Sequence, residues 1–584
     1  MTNEDVTTFH NDRARTGAEV GVARRGSHKE VRKYYGRWAK RYEVHPPGHP
    51  PTLPSDVASQ PWYPSAVRGA PLFLSQWRVE ESSRHGHIAD LVIVATSDGS
   101  VYAYDHSAAK SGPPPLLWQR SLGPARIHYP RPAGYPAPGG RTTNIPLPVG
   151  ITSTPVIDRA CRRLFVVAQQ EDAHRRPSYW IYALEIDTGR ILQRAQLVDP
   201  GAQHRPQFDP FSLDQRGGLN LVGGWVYVVF SDIYGYDIEL PEHAARGWIV
   251  GCKANDLSDQ RYASVTRTVH GGGMWAAGGV SADARNRLYA ATGTGLALPA
   301  KYWSDLAVKK KHPGDLGDYF MGVVQAEYNG ADLHIIGWYQ PNNHGGTGHD
   351  IKTIQENDND LGSCSVLVLN GIYGRNFVLT SGKDGDAYLL DADAALGHYG
   401  GHVDRVTVFD GNAVSAPAYW QTSDGDHVVF LAGTTLAALK IARPPKSVKI
   451  KPSAPGHWIT GFYKGQFHSK VRFATTWAGS PVVATNSPHD DDALVWVAEP
   501  LHDTPGPTNS GVLYAVRALT GEIVFDSRVR AADSVGPLPH FPSLTAAGSF
   551  VFVGTNYGYA CYEHRWVAKK PKVVKVKRKV KRTA

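Results

Sequence analysis

The stretch LVIVATSDGSVYAYD (Leu91–Asp105) decides how this chain is read. An apolar run, Leu91–Ala95, leads into Asp98-Gly99, and an alternating run, Val101–Tyr104, leads out. Asp-Gly between two strand-like runs supplies the positive φ that a tight hairpin needs. The pattern returns in YWIYALEIDTG (Tyr179–Gly189), NFVLTSGKDGDAYLLDAD (Asn376–Asp393) and VVFLAGTTLAALKIA (Val428–Ala442). It returns again in SGVLYAVRALTGEIVF (Ser510–Phe525) and FVFVGTNYGYACYE (Phe550–Glu563). Between these copies lie ITSTPVID, LNLVGGWVYVVF, VSADARNRLYAATG, VSAPAYW, AGSPVVA and PSLTAAGSFVFVG, each reading as an inner strand, a turn and the next strand. No long helical periodicity interrupts them.

A four-stranded sheet cannot bury both of its faces alone, so repeated sheets stack radially as blades. Seven or eight copies fit between Ala66 and Val567, and eight is preferred. Eight would average about 63 residues, against roughly 40–50 for compact blades, with the excess in Pro/Gly-rich loops such as Gly123–Val149. The expected fold is all-β: a seven- or eight-bladed β-propeller of four-stranded antiparallel blades over residues 66–567. Outside it lie an arm, 1–65, and a Lys/Arg-rich tail, 568–584.

Composition narrows the function classes. The 584 residues carry 62 Lys and Arg against 53 Asp and Glu, a formal charge of +9. Lys569–Ala584 holds nine of those bases and no acid, so the remainder is formally neutral. No apolar run is long enough to span a membrane as a helix. The opening MTNEDVTTFHNDRARTG has no apolar core of a secretory signal, which favours an intracellular or particle-associated place over a periplasmic or secreted one. Cys161, Cys252, Cys364 and Cys561 lie far apart without a CxxC, and read as small buried hydrophobes in strands.

Two basic segments stand apart. In residues 23–45, Val31, Tyr34, Tyr35, Trp38 and Tyr42 recur at helical spacing among bases that include Arg32, Lys33, Arg37, Lys40 and Arg41. This predicts a basic helix, either packing its aromatic stripe on the propeller or binding a partner, nucleic acid or a membrane surface. The tail alternates Lys569, Lys570, Lys572, Lys575, Lys577, Arg578, Lys579, Lys581 and Arg582 with valines. It suits phosphates or an acidic surface, and is expected to be disordered when free.

Several of these stretches, in order, resemble the pyrroloquinoline-quinone (PQQ)-like propellers related to quinoprotein alcohol dehydrogenases. TTFHNDRARTG (Thr7–Gly17) is similar to the family's amino-terminal signature, RGAPLFL (Arg68–Leu74) to its closing strand, and GITSTPVID (Gly150–Asp158) to its second-blade start. GGGMWAAGGVSADARNRLYAATGTG (Gly271–Gly295), DLGSCSVLV and SGKDGDAYLLDADAALG carry the most specific likeness.

The resemblance implies a cofactor site on the axis. Trp275 would be the aromatic floor, Lys383 the cation against the quinone oxygens, and Thr152 a further cofactor contact. Thr294 stands in Thr292-Gly293-Thr294, where the family's turn supplies an Asn ligand to Ca²⁺. A threonine hydroxyl is a poorer Ca²⁺ ligand than an amide carbonyl. Glu327 or Asp318 would be the carboxylate base. The family's adjacent-cysteine disulfide and a haem-binding CxxCH are absent. Two functions follow as expectations. One is a non-catalytic binding or assembly module, without cofactor, held by its basic ends to an acidic partner, nucleic acid or larger particle. The other is a divergent PQQ- and calcium-dependent oxidoreductase acting on an alcohol or sugar.

Overall fold

The computed structural model describes residues 5–10, 12–16, 18–20, 35–47, 62–80, 85–110, 112–128, 145–198, 208–232, 246–265, 272–293, 322–341, 360–394, 396, 398–399, 401–409, 415–441, 462–463, 468–475, 478–485, 493–501 and 510–567. They form eight β-sheets of four or five strands. The first strands of successive blades are Leu72–Arg78, Val156–Asp158, Asn220–Val222, Ser281–Ala282, Leu367–Ile372, Ala418–Gln421, Val482–Thr485 and Leu544–Ala547. Gly69, Thr154, Ala277 and Ser543, each just ahead of a first strand, line one cavity. The first strands therefore face the axis, and the blade number is eight.

The hairpins form where Asp-Gly predicts them. Gly99 takes φ +82°, while Asp98 accepts the Ser100 backbone N–H at 3.0 Å. Gly385 takes φ +78°, and Asp384 accepts from Asp386 in the same way. The apolar faces so exposed pack between blades, not within them. The Trp77, Leu91 and Ile93 face of blade 1 meets Leu164 and Val166 of blade 2, and the pattern continues to a seam where Phe552 and Tyr559 of blade 8 meet Val92 and Tyr102 of blade 1.

That seam corrects the helix expected over residues 23–45 in its described part, residues 35–45; residues 23–34 lie outside the described residues. Tyr35–Val44 is a strand, antiparallel to Gly558–Val567 along its whole length. It is the outermost strand of blade 8, so the N-terminal region completes the last blade and closes the ring. A register shift between Lys40 and Tyr42 explains the misleading spacing. Without the shift, Trp38 and Tyr42 would share a face. With it, Trp38 meets Trp496 of blade 7 edge-on at 4.5 Å, and Tyr42 joins the seam with blade 1. Arg68–Leu74 correspondingly opens blade 1 and is not the closing strand. Cys161 departs from expectation too, lying exposed in a turn while Cys252, Cys364 and Cys561 are buried.

A second N-terminal element runs round the inside of the ring. Val6 pairs with Phe73 of blade 1, and the Thr7 carbonyl accepts from Ile157 of blade 2. Thr8 Oγ1 donates to the Leu219 carbonyl at the start of blade 3. The carbonyls of Arg13, Ala14 and Thr16 accept from Ala282, Val368 and Tyr419 of blades 4, 5 and 6. Ala18–Val20 then lies parallel to Val483–Thr485 of blade 7. Seven blades are stitched in order by the described residues between Asp5 and Val20. Arg15 anchors this belt from a fully buried position.

Candidate axial site

The loops ahead of the first strands converge on the axis, and there the structure brings together residues far apart in sequence. Lys383 Nζ lies 5.3 Å from the Trp275 ring centroid and 3.2 Å from Asp360 Oδ2. Phe541 meets Trp275 at 5.7 Å with the rings tilted by 52°. The Arg216 guanidinium sits 4.2 Å from the Phe541 ring centroid and 5.9 Å from that of Trp275. Beside them is a cavity of about 20 Å³ whose lining includes Arg68, Thr152, Thr154, Arg216, Phe541 and Ser543. Thr152 also donates its hydroxyl to the Gln215 carbonyl.

Two of these residues carried no signal in the sequence reading. Arg216 stands in LDQRGG, which reads as a turn. Phe541 stands in LPHFPS and takes φ +54°, a conformation that costs a bulky residue and persists only where its surroundings hold it. Strain of this kind leaves no trace in composition or periodicity.

Burial shapes the electrostatics. Desolvation lowers the Arg216 guanidinium to about 10 and raises the Asp214 carboxyl to about 6. Behind Lys383, burial and then the Asp386 carboxylate raise Asp384 to about 7. Tyr388 Oη donates to Asp384, and Arg405 pairs with Asp386 at 2.7 Å. The folded pKa of Asp384 lies above its unfolded value. Its contribution to stability is therefore full below about pH 4 and is lost as pH rises through about 7. Asp384→Asn, which stays neutral, is expected to gain on the order of 2 kcal/mol over the parent at pH 8 and nothing at pH 4. Urea unfolding at the two pH values checks this, and equal differences at both would exclude it.

The other expected site residues fall elsewhere. Glu327 lies at the end of Val323–Tyr328, the third strand of blade 4, opposite His334 and outside the axial cluster. Asp318 and Thr294 lie outside the described residues, as do Arg32, Lys33 and all nine basic residues of the tail. Arg37 belongs to the closing strand. Lys40 and Arg41 are engaged internally. Lys40 donates to the Ser534 carbonyl at 2.9 Å, and Arg41 pairs with Glu563 at 2.9 Å. No group of three His, Cys, Asp or Glu able to hold a metal occurs among the described residues.

The fit of a flat quinone can be tested on this geometry. Pockets for drug-sized ligands run from roughly 300 Å³ upward, whereas the axial cavity of about 20 Å³ has room for a water molecule or one small head group. Phe541 and Arg216 crowd the surroundings of Trp275 that a stacked ring would need. In this arrangement the described residues do not fit the three-ring cofactor.

No family model matches the chain, and no curated protein sequence does. Solved structures do. The quinohemoprotein alcohol dehydrogenase of Comamonas testosteroni is similar at a TM-score of 0.52 and 13% identity, over 97% of this chain and 81% of that one. The quinohemoprotein alcohol dehydrogenase ADHIIG of Pseudomonas putida HK5 is similar at 0.56 and 12%, over 97% and 80%. BamB of Moraxella catarrhalis aligns at 0.37 and 11%, over 86% and 98%. At these identities the likeness concerns the fold. The chain has the eight-bladed propeller fold of the PQQ-type quinohemoprotein alcohol dehydrogenases.

Proposed function

We propose that this propeller is a non-catalytic binding or assembly module, anchored through Lys569–Arg582 to an acidic partner surface or nucleic acid. The observation that supports it most is the axis, where Phe541 and Arg216 of the chain itself crowd the tryptophan that a cofactor would need. A rigid ring closed by its own N-terminal region is suited to presenting surfaces. Lys40 and Arg41 are already paired within the fold, so the anchoring charge is assigned to the tail. Among the described residues no helix is long and apolar enough to cross a membrane.

The test is binding of a labelled duplex DNA by the full chain and by a chain lacking Lys569–Ala584. Tail-borne binding weakens steeply and linearly on a log–log plot as salt rises, and deletion abolishes it. Binding that survives both deletion and high salt excludes the electrostatic anchor.

A second reading, a divergent quinoprotein oxidoreductase acting on an alcohol or sugar, draws on the approach of Lys383 to Trp275 and on the fold shared with the two dehydrogenases. Titration with PQQ, with and without Ca²⁺, separates the readings. Saturable micromolar binding that is lost in Lys383→Ala favours the second, and no binding at high concentration retires it.

A further inference from the structure

We propose that the axial cavity is a socket for one carboxylate, supplied by an acidic side chain of a partner segment lying over the propeller mouth. The inference rests on the binding-module reading and names the partner's chemistry.

Arg216 carries the argument. A guanidinium has five N–H donors, yet Arg216 makes a single hydrogen bond among the described residues, a long one of 3.4 Å to the His540 carbonyl. It forms no ion pair with any described acid. Asp214, two positions earlier, is buried, and its Oδ1 accepts no hydrogen bond, so the two charges feel each other without closing a bridge. Arg216 is half-buried, and a charge partly withdrawn from water is costly unless a counter-charge meets it. The Phe541 ring lies 4.2 Å from the guanidinium carbon, a contact that leaves edge donors available to a coplanar acceptor.

Two hydroxyls complete the donor set. Thr154 Oγ1 accepts the Ala70 N–H at 2.8 Å, but its own hydrogen has no acceptor among the described residues. The Ser543 hydroxyl makes no hydrogen bond at all among them. Both residues are buried, and both line the same cavity as Arg216. The cavity is thus small, polar and richer in donors than in acceptors. Its size suits the planar two-oxygen head of a carboxylate, which a guanidinium edge binds through paired hydrogen bonds.

The experiment is calorimetry on the full chain at about 0.5 M NaCl, where charge on the tail is screened. The probes are acetyl-Gly-Glu-Gly-amide, its Gln counterpart, and acetate. The Glu peptide is expected to bind at least fivefold tighter than the Gln peptide, and Arg216→Gln to erase that preference. Ser543→Ala, a smaller change that preserves the fold, is expected to reduce it two- to threefold. Equal binding of the two peptides, or an unchanged preference in Arg216→Gln, would overturn the proposal. Acetate binding as tightly as the Glu peptide would overturn the partner-segment source. The readout is taken where tail-borne binding is suppressed, so its failure is distinct from failure of the tail-deletion experiment.

Discussion

Replacing Arg15 with Met is expected to cost about 5 kcal/mol or more, or to leave the chain insoluble. Arg15 is wholly buried and donates to Thr8 Oγ1 at 2.6 Å and to the Phe9 carbonyl at 2.8 Å. It also donates to the carbonyls of Gly218 at 3.1 Å, Leu219 at 2.9 Å and Val280 at 3.2 Å. A thioether satisfies none of these acceptors, and each buried polar group left unpaired costs roughly 1–3 kcal/mol. The same side chain fastens the belt to blades 3 and 4, so its loss loosens both. Arg15→Lys rescues little, because three donors on one point cannot reproduce a five-donor fork. Urea unfolding of the three proteins measures the effect. A midpoint for Arg15→Met within about 1 kcal/mol of the parent would show that the belt is not a structural element.

Tyr42→Ala is expected to destabilise by about 3–5 kcal/mol, the range for deleting a large aromatic from a core. Tyr42 is 5% exposed and meets Tyr559 edge-on at 6.1 Å, at a seam formed with the help of a strand from the opposite end of the chain. Tyr42→Phe keeps the packing and loses the hydrogen bond between Tyr42 Oη and His106 Nδ1 at 2.5 Å. Burial holds the His106 imidazole neutral, near 3, and its Nε2 already has no partner. The Phe variant should therefore cost about 1–3 kcal/mol, less than Ala, for leaving a buried ring nitrogen bare. If Ala and Phe cost the same, the seam is held by the hydrogen bond and not by packing.

Much of the fold was legible because a blade is a local object. Alternation of apolar residues and Asp-Gly turns are written within about 15 residues, as in Leu91–Asp105 and again in Phe377–Asp391, and pairing follows from them. The axial site was half legible. Trp275 and Lys383 stand in recognisable stretches and do come together. Phe541 and Arg216, which crowd that tryptophan, stand in Pro- and Gly-flanked turns that look like any others.

The sequence by itself determined the strands, their hairpins, the repeat that makes blades, and the segregation of net charge into the tail. Only the tertiary structure decided how the ring closes and what fills its axis. Tyr35–Val44 reads as an amphipathic helix until Gly558–Val567 offers an unpaired edge, for then ten residues of backbone hydrogen bonding outweigh a local preference. Arg41 meets Glu563 across 522 positions, and Arg15 reaches carbonyls more than 200 positions away. Such contacts follow from closure of the whole ring, which brings distant backbone within reach, and no local pattern encodes them.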